Sequence, residues 1–243
     1  MEDNSRSIIV SRPAGKWPTS REESTQCSAV RWGSILALCL VCLYCSSFIP
    51  PLSTFQAAAA VREYGERYLL LGPLTAAHAH EVEPRELPDC TALGRTIAAC
   101  RARGWRVVAG RWLVEGSPTV LLLDTQSAAH KLDEWKHELY QLTQIGIPHS
   151  DAECNPLVTL GFMLAQVVAE LRHQLSRPGE CEDRDCAACQ PQPGPALLVA
   201  HFHEWMVGVG LILLRLWKAG SGQCRGLIVS DGITYSFTIY SRG

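Results

Sequence analysis

The middle of the chain alternates short, uniformly apolar runs with longer segments whose apolar residues recur every three or four positions. Apolar runs bounded by turn residues predict buried strands, and the 3.6-residue period predicts amphipathic helices. The predicted strands are Arg67–Gly72, Trp105–Ala109, Thr119–Leu123 and Ala196–Ala200. The predicted helices are Asp89–Arg103, Ser127–Gln144, a helix starting at Asn155-Pro156, and Glu204 to about Trp217. Strands without polar alternation, separated by helices, predict an α/β fold with a mainly parallel sheet covered on both faces.

Two of these helices carry end signals. Gly146 with Pro148 predicts the end of the helix that starts near Ser127. Asn155 is predicted as the N-cap of the next helix, with Pro156 at its first helical position. The apolar stripe of that helix is Leu157, Leu160, Leu164, Val167 or Val168, Leu171 and Leu175.

Before this region lies an uncharged segment with an unbroken apolar run, Ile35–Cys45. A membrane-spanning helix needs about 20 apolar residues, so the run is short for that role. It also begins far from the N-terminus for a secretory signal and lacks a compact basic flank. We therefore expect a buried helix or strand here, and no membrane contact.

The end of the chain changes character. Leu227–Ser230, the turn pair Asp231-Gly232 and the alternating segment Ile233–Tyr240 predict a β-hairpin. Either this hairpin or the Ile35–Cys45 run is expected to cover an otherwise open edge of the sheet.

Composition narrows the class of protein without naming a function. The 243 residues are 47% apolar and 19% charged, which is typical of a globular fold. The formal net charge of -2 gives no field that would attract nucleic acid, so we expect no nucleic-acid partner. The eleven cysteines have no even spacing, which argues against a disulfide scaffold.

The most informative segment is the end of the fourth predicted strand, where His201, His203 and Glu204 follow an apolar run. In open α/β sheets ligands bind outside the carboxyl ends of the strands. His201 and His203 are two residues apart, so on an extended backbone both lie on one side. Three interpretations stay open: a histidine bonded to backbone, a metal site on the pair, and a ligand-contacting histidine. A zincin helix is excluded, because Val207 stands four residues after His203.

Two further patterns are weaker. Cys181, Cys186 and Cys189 lie in a polar loop with His173 as a conceivable fourth zinc ligand, but a solvated surface loop explains them better. Gly208-Val209-Gly210 lacks the third glycine of the dinucleotide fingerprint and lies in a helical segment, which favours close helix packing over a phosphate loop.

Four segments in order carry a family resemblance: YGERYLLLGP at 64–73, GRWLVEGSP at 110–118, EWKHEL at 134–139 and VAHFHEWMVGVG at 199–210. From about Gln56 to Lys218 the chain resembles the N-terminal domain of glycogen synthases of the fungal and animal type. The last segment resembles the family's V-A-H-F-H-E-W-x-A-G-V-G motif, and the second resembles its G-R-W-L-I-E-G-x-P.

The resemblance implies the Rossmann-like N-terminal half of a two-domain GT-B glycosyltransferase, incomplete, with irregular or non-family ends. It implies transfer of glucose from UDP-glucose to the non-reducing end of a glycogen chain, with retention and no metal or other cofactor. By resemblance, His203 contacts the transferred glucose and is the catalytic residue, His201 joins it in substrate binding, and Glu204 positions the substrate. The family also implies a cytoplasmic location and a homo-oligomer of the full-length enzyme.

The departures from the family are equally specific. We divide the chain into a non-family segment 1–55, the family-like domain 56–218 with a polar insert at 177–195, and a non-family tail 219–243. The family's glycine-containing K-V-G-G-I-Y loop, which approaches the donor phosphates, has no counterpart before Gln56. The Asn-Asp pair before the long helix is Asn155-Pro156 here.

We expect this chain to be a truncated family member that is inactive alone. The alternative is a non-catalytic fragment that binds glycogen or the synthase. A third hypothesis, a metal-dependent or membrane-tethered module, combines the histidine pair, the cysteine loop and the apolar run.

Overall fold

A computed structural model describes residues 35–40, 51–177, 197–202, 205–221 and 227–231. The strands are β1 Ile35–Leu40, β2 Tyr68–Pro73, β3 Val82–Pro84, β4 Val107–Trp112, β5 Thr119–Leu123, β6 Leu197–Phe202 and β7 Leu227–Asp231. The α-helices are α1 Pro51–Tyr64, α2 Ala76–Ala79, α3 Ala92–Ala102, α4 Leu132–Thr143, α5 Cys154–Leu175 and α6 Gly208–Ser221. Short 3-10 segments are Gly65–Arg67, Thr125–Lys131 and Trp205–Val207.

The seven strands form one mixed sheet in the order β3-β4-β5-β2-β1-β6-β7. The pairs β5–β2, β2–β1, β1–β6 and β6–β7 are parallel, while β3–β4 and β4–β5 are antiparallel. The mainly parallel sheet is therefore confirmed over its larger part. The antiparallel end differs from the expectation because β4 and β5 are joined by a hairpin turn with left-handed backbone at Gly116 and Ser117.

The apolar run before the family-like region supplies the central strand. Ile35–Leu40 is β1, which pairs with β6 along its whole length and with β2 from Ala37 to Leu40. The expectation of a helix or strand in this run is thus settled as a strand for residues 35–40. The remainder of the run, 41–45, lies outside the described residues.

The hairpin predicted at the end of the chain is described for its first arm alone. Leu227–Asp231 is β7, an edge strand that pairs in parallel with β6. The predicted turn glycine and the second arm, 233–240, lie outside the described residues. Both candidate segments therefore join the sheet, one at its centre and one at its edge.

Apolar side chains alternate between two cores, one on each face of the sheet. The larger core lies under α3, α4, α5 and α6, and its strand residues are Leu69, Leu71, Val107, Ala109, Leu121, Leu123, Leu198, Ala200 and Phe202. The smaller core packs against α1, and its strand residues are Tyr68, Leu70, Val82, Trp112, Val120 and Leu122. This period-2 alternation explains why β2 and β5 are almost wholly apolar, because both of their faces are covered.

Helix α5 is the central helix of the larger core. The predicted stripe is buried or half-buried throughout, and the whole stretch from Leu157 to Ala165 is buried as well. Phe162 stacks on Trp135 of α4 with ring centroids 5.2 Å apart. Among the described residues α5 is the one helix long and apolar enough to span a membrane, but 67% of its apolar window is buried inside the fold. Its composition is accordingly that of a core helix.

One helix-end prediction is wrong, and the other is correct to within one residue, since the helix predicted to end at Gln144 ends at Thr143. α5 begins at Cys154, so Asn155 is inside the helix and does not cap it. Instead, the carboxylate of Asp151 accepts hydrogen bonds from the backbone N–H groups of Glu153 and Cys154. These N–H groups lie about one turn before the ones that a cap at Asn155 would satisfy. α4 ends at Thr143 with Gln144 in the left-handed conformation (φ 60°), so the turn is made before Gly146.

Candidate functional site

The parallel strands bring their carboxyl ends to one edge of the sheet. β1 ends at Leu40 and β6 at Phe202, and these two residues are register partners. One position earlier, His201 lies beside Cys39 of β1 on one side and Ser230 of β7 on the other. The predicted site residue His201 is therefore at the carboxyl edge, between two neighbouring parallel strands.

The connections that follow β1 and β6 lead to opposite faces of the sheet. α1, the helix after β1, packs on the smaller core through Ala57, which is buried. α6, the helix after β6, packs on the larger core through Leu213 and Leu214. Adjacent parallel strands whose connections diverge in this way open a crevice at their carboxyl ends, and such crevices are where open α/β sheets bind ligands. The topology thus selects the β1–β6 junction without reference to any motif.

His201 occupies the sheet face opposite the larger core. Its neighbours Ala200 and Phe202 are fully buried in that core, and His201 alternates with them. The side chain is half-buried. His203 and Glu204, predicted to act with His201, lie outside the described residues, so their common side and their roles stay predictions.

The chain re-enters the described region at the 3-10 segment Trp205–Val207, where Val207 is fully buried, and continues as α6 from Gly208. The helix predicted from Glu204 to about Trp217 is confirmed, with its regular α-helical part starting four residues later. Two residues, His203 and Glu204, join the end of β6 to this segment.

Gly208-Val209-Gly210 belongs to the first turn of α6, and close helix packing is confirmed for it. A methyl group added at Gly210 would lie 3.1 Å from the carbonyl oxygen of Gly161 and 3.2 Å from a ring carbon of Phe202. Gly210 therefore lets α6 approach α5 and the end of β6, whereas a methyl group on Gly208 would meet nothing within 4 Å.

Most residues of the zinc hypothesis lie outside the described part of the chain. Cys181, Cys186 and Cys189 lie outside it, and His173 is exposed in the last turn of α5. Within residues 35–40, 51–177, 197–202, 205–221 and 227–231, no group of three or more His, Cys, Asp or Glu side chains is arranged to hold a metal ion.

Sequence reasoning missed two features of this region. The partner strand of His201 was not assigned, although the uninterrupted run ending before Pro50-Pro51 was the available signal. Gly161 carried no sequence signal, because one glycine within an apolar helix does not indicate what packs against it.

The carboxamide of Asn155 is a separate polar feature of α5. Its Nδ2 donates to the carbonyl of His149 (3.1 Å), while its Oδ1 is buried without a hydrogen-bond partner. Six residues of α5 separate Asn155 from Gly161, so by helical geometry the two lie about 120° apart around the axis. Asn155 therefore faces the α4–α5 loop and not the end of β6.

Comparison with known proteins gives the family. The family model described as glycogen synthase matches residues 51–221, well over half of the chain. The chain belongs to the glycogen synthase family. The resemblance carried by the four sequence segments is thereby confirmed. β1 lies before the matched region, so the central strand of the sheet is contributed by residues that the family model does not cover.

Individual relatives agree. The chain is 40% identical over 164 residues to glycogen (starch) synthase of Caenorhabditis elegans, which covers 67% of this chain and 22% of the relative. It is 37% identical over 161 residues to the Neurospora crassa synthase, covering 66% and 20% of the two chains. It is 33% identical over 168 residues to isoform 1 of Saccharomyces cerevisiae, covering 66% and 21%. The chain thus spans about one fifth of the length of these family members.

Proposed function

We propose that this glycogen synthase family chain is part of an enzyme that transfers glucose from UDP-glucose to the non-reducing end of a glycogen chain. The family match, which includes the His201-x-His203-Glu204 segment, is the observation that carries the proposal. His201 lies at the carboxyl edge of the sheet, where the connections of β1 and β6 diverge. This position supports the same edge as the ligand site. The relatives' names supply glycogen as the product.

The proposed reaction exchanges one bond at the anomeric carbon of glucose. The bond from C1 to the phosphate oxygen of UDP breaks, and a bond forms from C1 to the 4-hydroxyl oxygen of the terminal glucose of the acceptor. UDP leaves with the electron pair of the broken bond, and the proton of the acceptor hydroxyl passes to the leaving phosphate oxygen of UDP. Configuration at C1 is retained, and the chemistry needs neither oxidant nor reductant.

The histidine segment is proposed to act on the sugar. The transition state carries oxocarbenium-like charge, and fixed hydrogen bonds to the sugar hydroxyls strengthen as that charge forms. We assign this contact to His203, substrate binding to His201 as well, and positioning of the substrate to Glu204. We propose that no metal or cofactor takes part, that the enzyme acts in the cytoplasm, and that it assembles as a homo-oligomer.

Two charged residues at this edge, Asp124 and Arg106, have structural partners. Asp124, which follows β5, accepts a hydrogen bond from the backbone of Gln126 and caps the 3-10 segment after it. Arg106 forms an ion pair with Asp124 at 3.6 Å with an exposed guanidinium. The packing of the strand ends therefore accounts for both charges.

The test measures incorporation of labelled glucose from UDP-glucose into glycogen by the natural gene product. His203→Ala is expected to lower turnover by about 100-fold or more, which is the usual loss for one preorganised donor to the transition state. The matched control is His149→Ala, because His149 is exposed on a loop and contacts Asp133. Circular dichroism of both variants checks that folding is unchanged.

Two results would contradict the proposal at different levels. Unchanged turnover in His203→Ala removes the assignment of His203 while leaving the activity in place. No incorporation by the wild-type protein, with UDP-glucose and glycogen both present, removes the proposed activity itself.

A further inference from the structure

The loop between α4 and α5, residues 144–153, lies at the carboxyl edge of the sheet. α4 follows the 3-10 segment that begins just after β5 ends at Leu123. Gly161 of α5 packs against Gly210 of α6, which in turn packs against Phe202 at the end of β6. The loop joins α5 about two helical turns before Gly161, so it is on the same side of the sheet. Because ligands bind at this edge in α/β folds, a loop here is either a fixed wall or a lid that closes on binding.

A buried lysine connects this loop to α4. Lys136 is 7% exposed, and its Nζ donates a hydrogen bond to the carbonyl oxygen of Pro148 at 2.8 Å. Lysine is almost never buried to this extent without a partner, because its ammonium group loses its hydration. The preceding loop residue, Ile147, packs against the larger core. The loop is therefore held by a polar and an apolar contact next to each other.

Hydrogen bonds from α5 and from within the loop hold the same turn. Asn155 of α5 donates from Nδ2 to the carbonyl oxygen of His149 at 3.1 Å. The N–H group of Asp151 donates to the carbonyl of Pro148 at 3.2 Å, and the carboxylate of Asp151 accepts from the N–H group of Cys154 at 2.9 Å. The successive carbonyl groups of Pro148 and His149 are thus bound from α4 and from α5.

The charge of Lys136 also acts on the loop. The hydrogen bond from Cys154 is the main reason why the pKa of Asp151 is below its usual value, and the nearby positive charge of Lys136 lowers this pKa further. By contrast, the contact of His149 with Asp133 joins two side chains that are 82% and 80% exposed, and such pairs contribute little to stability. Lys136 therefore makes the better shielded of these two contacts between α4 and the loop.

We propose that Lys136 holds the α4–α5 loop closed against the fold in the free protein, so that this side of the carboxyl edge is a fixed wall and not a mobile lid. Lys136 acts through the carbonyl group of Pro148 and is assigned no contact with substrate. The contacts that hold the loop all lie within residues 133–155, which the structure describes. Neither the proposed transfer reaction nor the position of residues 203–204 enters into this role.

The informative variant is Lys136→Met, which removes the ammonium group and keeps an unbranched apolar stem of similar length. The carbonyl of Pro148 still accepts from the N–H group of Asp151, so no buried acceptor is left unpaired and the variant is expected to fold. What it loses is the connection between α4 and the loop. Because hydrogen bonds from a charged donor are among the stronger ones, the loop amides should exchange about tenfold faster.

The matched control is Lys131→Met, the same substitution five residues earlier in the chain. Nζ of Lys131 contacts Glu134 at 2.7 Å, and both side chains are exposed. This variant is expected to leave the loop unchanged, because exposed pairs contribute little. Asn155→Ala is a second variant, since it removes the hydrogen bond to His149 from the α5 side and introduces a good helix former.

Hydrogen–deuterium exchange of the full chain, read in peptides covering 144–155, measures the state of the loop. In the wild type its hydrogen-bonded N–H groups are expected to exchange at least about 100-fold more slowly than unprotected amides. Lys136→Met and Asn155→Ala should raise exchange in these peptides about tenfold. Peptides from β2 and β5 should stay within about twofold of wild type, because local opening of the loop does not expose the sheet. Lys131→Met should match the wild type throughout.

Three outcomes overturn the inference. Exchange at the unprotected rate in the wild-type loop shows a mobile lid. Exchange over 144–155 within about twofold of wild type in folded Lys136→Met shows that the lysine does not hold the loop. An equal rise in the peptides from β2 and β5 shows general destabilisation in place of a local contact. If Lys136→Met does not fold, the protection of the wild-type loop and the response of Asn155→Ala decide between a wall and a lid.

Discussion

The central place of β1 leads to a prediction about proline. Every N–H group of a central strand is paired with one neighbour or the other, whereas alternate N–H groups of an edge strand point away from the sheet. Ala37 and Leu38 both lie where β1 is paired with β2 and with β6. Ala37→Pro and Leu38→Pro should therefore both be damaging.

The size of the effect follows from what each proline removes. One ladder hydrogen bond is lost, contributing about 1 kcal/mol, and the carbonyl that accepted it is left unpaired inside the sheet at about 1–3 kcal/mol. The ring also restricts φ to values that a strand accommodates poorly. Together these lower the free energy of unfolding by about 3 kcal/mol, a large part of the 5–15 kcal/mol typical of a domain.

The edge strand β7 provides the matched control. Within the described residues it pairs with β6 alone, and Ile228 and Val229 are successive positions in that pairing. One of the two N–H groups faces β6 and the other faces away. Of Ile228→Pro and Val229→Pro, one should resemble the β1 variants and the other should be mild.

Urea unfolding followed by tryptophan fluorescence measures the difference, because Trp105 and Trp135 are buried in the larger core. With a slope of about 2 kcal/mol per molar urea, a loss of 3 kcal/mol moves the midpoint down by about 1.5 M. A central strand gives two large shifts, and an edge strand gives one large and one small shift. Midpoints within about 0.3 M of wild type for both β1 variants would refute the placement of β1, given this slope.

Two further predictions concern helix ends. Arg95 donates to both the side chain and the backbone carbonyl of Gln174 at 2.9 and 3.0 Å, so Arg95→Lys, which loses the planar fork, should lower the free energy of unfolding by about 2 kcal/mol in urea titrations. The exposed Arg101, changed to Lys, should have no measurable effect, and equal stability of the two variants would contradict the role of Arg95. The backbone N–H of Cys154 donates to Asp151 and holds the pKa of that carboxyl below its usual value, so the stability it contributes is present above about pH 4 and is lost as the pH falls further. In Asp151→Asn the free energy of unfolding should fall less steeply with decreasing pH below about pH 4 than in the wild type. The same steepness in both proteins would show that the carboxylate contributes nothing.

Uniformly apolar runs bounded by turn residues predicted the strands well. β5 coincides with its prediction, Thr119–Leu123, and β2 differs by one residue at each end. The reason is local. These runs are buried on both faces of the sheet, so their uniformly apolar sequence by itself indicates a strand. The 3.6-residue period likewise identified α5, because its buried stripe is a property of one segment.

Features that depend on a distant partner could not be predicted. The eleven-residue apolar run at 35–45 fits a strand or a helix, and its assignment depends on β2 and β6, which come later in the chain. The contact of Gly161 with Gly210 joins residues from two helices separated by the insert at 177–195. Nothing in either local sequence specifies which surface the other helix presents.

Two independent arguments lead to the end of β6, and they depend on different residues. The family match covers 51–221 and includes the histidine segment, whereas the switch-point argument needs β1, which lies outside that match. If proline at Ala37 and Leu38 proves harmless, the crevice between β1 and β6 loses its basis. Family membership would stand, because it does not use β1. The glycine contact would also stand, because Gly161, Phe202 and Gly210 all lie within the matched region. The proline variants therefore test the sheet and His203→Ala tests the chemistry, so failure of one leaves the other open to its own result.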